Sequence, residues 1–210
     1  MPDDMSREEA AMAEPLTISL HGIPLGGLKA GEYCAIIGAG PIGLLAGMIA
    51  QAYGAHAILL DLVDERLQFA KELGIEYVIN SKTEDTVKRI SEITNGVMAQ
   101  QVMECSGANA AIRSTLDLVS NAGRITLTGW PKTETPLPTD LITKKEVDIR
   151  GARTSAGEFE EAIELIHSGR VDIKKILTKV ISIDEAPATI IDIEKNPGNY
   201  MKVVVQVNEP

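Results

Sequence analysis

From residue 33 onward the chain alternates two kinds of segment. Short apolar runs of β-type composition sit at 33–37, 57–60, 77–79, 101–104, 124–128 and 147–149. Between them, helical patterns cover 41–53, 64–73, 83–94, 109–119 and 139–144. Alternation of this kind is the signature of a parallel sheet whose strands are joined by crossover helices. Six strands and five crossovers predict an α/β fold, a Rossmann-type doubly wound parallel six-stranded sheet with helices on both faces.

The two ends read differently. Ser6 followed by Glu9 is a capping box that opens a helix over 6–13; Pro15 resets the chain before a second short helix reaching His21, and 28–32 is a turn. After Gly151 come a helix at 158–167, a strand-like 179–183, a helix at 184–193, the turn Asn196-Pro197-Gly198 and an apolar run at 201–207. These form a C-terminal α/β remnant too small for a core of its own. The expected division is lead-in helices at 1–27, the Rossmann domain at 28–151, and a segment at 152–210 that packs on the first domain or on a further one.

Composition narrows function more than fold. With 44% apolar and 24% charged positions, 210 residues supply one full core. A net charge of -10 argues against nucleic acid as a partner, because such binding depends on Lys and Arg neutralising phosphates. Cys34 and Cys105 make neither a disulfide framework nor a Cys-rich zinc site, and the acidic first ten residues lack the pattern of a secretory signal, so a reducing, cytoplasmic setting is expected. Residues 33–60 carry no Asp, Glu, Lys or Arg and are long enough to span a bilayer. Glycines punctuate that stretch and its pattern passes from strand to helix and back, so no membrane partner is expected.

Gly38-Ala39-Gly40-Pro41-Ile42-Gly43 fits G-x-G-x-x-G directly after a strand and at a helix start, the context a dinucleotide-binding turn requires. Gly38 permits the tight turn, Gly40 leaves room for a pyrophosphate to approach the backbone, and Gly43 lets helix and strand pack closely. Pro41 suits the first helical turn, where its missing N–H is no loss. The free N–H groups of the helix start that follow Pro41, from Ile42 onward, aided by the helix dipole, attract a diphosphate.

Asp61 ends the next strand eighteen positions after Gly43, where its carboxylate can accept from both ribose hydroxyls of an adenosine. A 2′-phosphate about 4 Å away would meet a repulsion on the order of 4 kcal/mol per charge pair at an effective dielectric of about 20. NAD is therefore expected to be preferred over NADP. Arg66 is the counterweight, able to neutralise such a phosphate in part or to flank the adenine. Glycine-rich turns also serve as plain connectors and in flavin and S-adenosylmethionine domains. Flavin domains usually place the turn at the very start of the chain and a longer acid after the second strand, unlike the long lead-in and Asp61 here.

Glu104-Cys105-Ser106-Gly107 ends the fourth strand on the same sheet edge, where ligands of open α/β sheets collect. No His is near Cys105 in sequence, so Cys105 is read as a small cofactor-lining residue rather than a nucleophile, and Cys34 as core.

With the glycine turn, Asp61, Arg66, the 104–107 loop and the lead-in Ala13-Glu14-Pro15-Leu16 in place, the chain resembles the zinc-dependent medium-chain alcohol dehydrogenases. Their sorbitol, polyol and threonine dehydrogenase branch is most similar, almost end to end. The chain departs from it at Gln100, where relatives often carry Asp. The resemblance implies the NAD(H)-binding portion of an oxidoreductase acting on CH–OH groups. It places the nicotinamide beside Cys105, Ser106, Thr128 and Gly129, and Arg153 on the substrate side.

The resemblance also implies an N-terminal catalytic domain with a Cys zinc ligand and a Gly-His-Glu segment. His21, His56 and His167 are not followed by Glu, so this chain is expected to hold no catalytic residue and no metal ligand of its own. Glu14 matches the family glutamate that approaches the zinc, but one carboxylate holds no zinc, and it is read as a solvated or capping acid. Zinc, and hydride transfer with it, would require a separate catalytic polypeptide or domain. Ile163, Ile166, Ile176, Ile181 and Val203 to Val205 are expected to border apolar surface that such a domain covers. Family members also pair the strand near Val147 and Ile149 across a two-fold axis, which implies a homodimer. Two other readings stay open: a non-catalytic nicotinamide-binding or redox-sensing module, and a zinc-free quinone-type reductase, against which Asp61 and the lead-in speak.

Overall fold

Strands β1 (Tyr33–Ile37), β2 (His56–Asp61), β3 (Tyr77–Asn80), β4 (Ala99–Glu104), β5 (Val119–Leu127) and β6 (Asp148–Gly151) pair in parallel in the order β3-β2-β1-β4-β5-β6. This computed structural model describes residues 2–207. The order reverses between β1 and β4, where Ile37 stands level with Leu60 on one side and Glu104 on the other. Crossovers leave in opposite directions from that point, and a crevice opens beyond the strand ends.

Alternate residues of the central strands enter two separate cores. Cys34, Ile36 and Leu59 face one side, while Ala35, Ile37, Ile58 and Leu60 face the other. The first side is covered by α1 (Arg7–Leu25), α2 (Pro41–Ala52), α3 (Asp64–Glu72) and α7 (Phe159–His167). The second is covered by α4 (Thr86–Ile93), α5 (Asn109–Leu118) and α6 (Thr139–Lys145). The Rossmann prediction therefore holds in strand count, parallel pairing and layering.

The lead-in differs. The Ser6–Glu9 capping box forms as expected, but α1 is one continuous helix that runs through Pro15 and Pro24. A proline inside a helix costs about 3 kcal/mol, for the lost hydrogen bond and the ring clash. Met12, Leu16, Leu20 and Ile23 are almost fully buried on α1 and recover about 1.5–3 kcal/mol each. Packing on α2 and α7 thus overrides the local break.

Smaller shifts have local causes. α4 starts at Thr86 rather than at 83 because the Asp85 side chain accepts from Lys88 N and caps the helix there. Val119 opens β5 instead of closing α5, and Thr128 lies just beyond that strand. The Gln100 departure is accommodated, since its Oε1 accepts from Tyr33 N at 2.8 Å and ties β4 to β1.

After β6, β7 (Leu177–Ser182) and β8 (Lys202–Gln206) pair as a separate two-stranded parallel sheet, with α8 (Ala186–Lys195) between them. A 3-10 helix over Ile173–Ile176 precedes β7 and seats this region against α1. Ile166, Ile176 and Ile181 are consequently buried within the chain and do not border open apolar surface, contrary to expectation. For Ile166 and Ile176 the continuous α1 is part of the wall, since they share its core. Val205 is exposed as expected and Ile163, Val203 and Val204 are half-buried, while the other exposed apolar side chains of this region are Phe159, Val180, Ile183, Ile190, Ile191 and Val207. Among the described residues no helix is long and apolar enough to cross a membrane.

Candidate dinucleotide-binding site

The three motif glycines have three different geometries. Gly38 leaves β1 with φ +107°, and its N–H donates to Leu60 O at 2.7 Å. A Cβ on Gly43 would lie 1.8 Å from Gly38 O, so helix and turn can only pack with a bare Cα there. Gly40 is the N-cap of α2 in an ordinary extended conformation, and a Cβ there would meet no atom within 4 Å. Gly40 thus faces open space rather than protein, at a helix end whose first N–H groups lack intrahelical partners. Ser19 on α1 donates to Ile42 O at 2.7 Å and fixes this first turn from behind.

Asp61 is held by backbone donors. Its Oδ2 accepts from Ala39 N at 2.7 Å, inside the glycine turn, and its Oδ1 accepts from Leu62 N at 2.7 Å and Val63 N at 3.0 Å. Arg66 approaches Oδ2 at 3.8 Å, so its charge is partly committed to Asp61. The acid and the turn it was expected to complement are therefore one hydrogen-bonded unit.

Glu104 is the residue that sequence reasoning passed over. Fully buried at the end of β4, it accepts from Ser106 N at 2.8 Å and Ser106 Oγ at 2.5 Å through Oε1, and from Gly107 N through both oxygens. Its backbone carbonyl takes the N–H groups of Thr128 and Gly129, both at 2.9 Å. One residue thus gathers the two loops that follow β4 and β5. The available signal was an acid closing an otherwise uncharged strand. The neighbouring thiol of Cys105 is pushed well up by burial and then by Glu104, which disfavours the thiolate that a nucleophile requires. Cys34 is fully buried, and burial pushes its thiol up to about 12.

Two clefts flank the glycine turn. One, of about 430 Å³, is lined by Gly38, Asp61, Arg66 and Ser106 together with residues of α4 and α5. The other, of about 800 Å³, is lined by Ile42, Cys105, Thr128 and Gly129, and also by Trp130 and Arg153. Of the residues singled out from the sequence for cofactor contact, Gly38, Asp61, Arg66 and Ser106 line the first cleft and Ile42, Cys105, Thr128 and Gly129 the second, whereas Gly40, Pro41 and Gly43 belong to the glycine turn and line neither. Trp130, 74% exposed with Arg153 over its ring, had no sequence signal.

The geometry fits a dinucleotide: a helix N-terminus with clear space before it, an anchored carboxylate on one side, and a roomy, mostly apolar cleft on the other. It does not fit zinc. Glu14 is solvent-exposed, and among the described residues no group of three or more His, Cys, Asp or Glu stands close enough to hold a metal ion.

Comparison with known proteins agrees with this reading of the fold. The family model for the zinc-binding dehydrogenases matches residues 41–168. An uncharacterized zinc-type alcohol dehydrogenase-like protein of Haemophilus influenzae is 52% identical over 97% of this chain and 59% of its own length. A sorbitol dehydrogenase of Bacillus subtilis is 34% identical over 99% of the chain and 60% of its own. Among solved structures, 2R,3R-butanediol dehydrogenase of Bacillus subtilis superposes with a TM-score of 0.92 at 28% identity, covering 99% of this chain and 60% of that one. Two further structures hold nicotinamide cofactors. An alcohol dehydrogenase of Escherichia coli is complexed with NADH (TM-score 0.90, 26% identity, 99% of this chain and 61% of that one). A zinc-binding dehydrogenase of Sinorhizobium meliloti is bound to NADP (0.89, 27%, with 99% and 61%). The chain thus spans about 60% of the length of the relatives it matches. It belongs to the zinc-binding dehydrogenase family, of which it comprises the Rossmann portion and the segments packed against it.

Proposed function

We propose that this chain binds NAD(H) across the crevice and is the cofactor-binding part of a zinc-type alcohol or polyol dehydrogenase. The observation that carries this is Gly40, bare and facing open space at the start of α2, with Asp61 tied to the same turn through Ala39 N. In this assignment the α2 N-terminus faces the diphosphate. Asp61 and Arg66 line the adenosine end, and Cys105, Ser106, Thr128 and Gly129 line the nicotinamide end. The bound nicotinamide would accept or donate the hydride, while the protein residues orient it and keep water from one face. Among the described residues no group of three or more His, Cys, Asp or Glu could hold a zinc ion, so in this assignment turnover of an alcohol needs residues beyond these.

NAD is preferred over NADP on electrostatic grounds. Asp61 is nearly buried and anchored, so it cannot swing away from a 2′-phosphate, and Arg66 is already paired to it. Calorimetric titration is expected to show NADH binding at least tenfold tighter than NADPH, with Asp61→Ala weakening NADH about tenfold and erasing the preference. Equal affinities in the wild type would remove the preference, and no binding of either would remove the function.

We also propose a homodimer through β6, whose outer edge is unpaired in the described chain. Sedimentation at micromolar concentration is expected to give twice the chain mass. A clean monomer would be the contrary result.

A further inference from the structure

The larger cleft has one charged side chain on its wall, Arg153. The chain carries 30 acidic residues against 20 basic ones, yet no carboxylate lines this cleft. Arg66, Arg89, Arg113, Arg124 and Arg150 each pair with an acid, whereas Arg153 makes no ion pair or side-chain hydrogen bond among the described residues. Its place is nevertheless defined. Ala152 N donates to Leu127 O at 2.9 Å, continuing the β5–β6 ladder by one residue, and the guanidinium lies 5.2 Å from the centroid of the Trp130 ring. The next residue, Thr154, has φ +49°, a conformation that a β-branched side chain rarely adopts. Strain of that kind gathers at ligand-contacting segments. An arginine stacked on an indole keeps its N–H edge available for an anion and cannot lose its charge by titration.

We propose that Arg153, braced by Trp130, is a specificity-determining residue of this cleft and selects substrates that carry an anionic group, carboxylate or phosphate, over neutral polyols of the same length. This rests on the larger cleft being the nicotinamide end of the site. A planar carboxylate meets the guanidinium through two parallel hydrogen bonds and a phosphate meets it through charge and one or two such bonds, whereas a hydroxyl offers one weaker acceptor.

Trp130 is the only tryptophan and reports on the cleft directly. Its emission can be followed while the chain is titrated with gluconate, sorbitol 6-phosphate and sorbitol, and calorimetry can repeat the series with NADH present. One or both anions are expected to bind at least about tenfold tighter than sorbitol. Arg153→Gln should remove that preference, and Arg153→Lys should restore more of it for the phosphate than for the carboxylate. A preference confined to gluconate identifies sugar acids, and one confined to the phosphate identifies sugar phosphates; either sustains the proposal. Sorbitol binding as tightly as both anions, a preference that survives Arg153→Gln, or no anion binding at about 10 mM overturns it. Failure of NADH to bind would sink the cofactor assignment instead, and the cofactor-free emission titration would still decide for or against Arg153.

Discussion

Gly43→Ala is expected to damage fold and cofactor binding together. The added methyl would lie 1.8 Å from Gly38 O and 3.0 Å from Gly38 C, and both are backbone atoms of a turn pinned to Leu60. No rotamer relieves that overlap, so α2 must move off β1, away from the bond that Ser19 makes to Ile42. Overpacking of this severity costs about 3 kcal/mol or more. For a chain of this size that lowers Tm by roughly 6–12 °C. Thermal unfolding followed by circular dichroism measures it, and NADH titration should show binding lost.

Gly40→Ala separates the functional role of the turn from its structural one. A methyl there meets no protein atom, and the backbone already has a conformation any residue adopts. Only the weaker N-capping of alanine is lost, a cost below about 1 kcal/mol. NADH affinity is nonetheless expected to fall about a hundredfold, because the methyl stands where the diphosphate must approach the helix N-terminus. A stable Gly40→Ala chain that binds NADH as well as the wild type would mean that the turn is a connector and nothing more.

The central sheet was legible because its signals are local and mutually reinforcing. Apolar runs such as 33–37 and 57–60 admit one role when helical patterns separate them, and the glycine turn falls at the junction where its chemistry is required. The misreadings share a cause. Pro15 breaks a helix in isolation, but here α2 and the far more distant α7 bury Met12, Leu16 and Leu20, and these tertiary contacts decide the outcome. Ile166 and Ile176 were misplaced for the same reason, since the helix whose core they share was expected to be broken. Glu104 stayed hidden because its partners are backbone N–H groups, which no residue identity announces.

Glu104→Ala tests that hidden residue, and its effect should rival that of Gly43→Ala. Removing the carboxylate leaves the N–H groups of Ser106 and Gly107 without their acceptor and opens a cavity beneath Gly129, where there is no side chain to fill it. The orphaned buried donor of Gly107 costs about 1–3 kcal/mol, the exposed Ser106 donor less, and the lost packing of a fully buried side chain adds to that, so a fall of about 3–4 kcal/mol is expected. Glu104→Gln keeps an oxygen for Ser106 and one bond to Gly107 while turning an amide N–H toward the Gly107 donor, and should lose about 1–1.5 kcal/mol. Both variants should weaken NADH binding in proportion, because Ser106 N lies 3.3 Å from where a Cβ on Gly38 would stand, so the two loops move together. Normal NADH affinity in a destabilised Glu104→Ala chain would show that the 104–107 loop supports the sheet edge without shaping the cofactor site.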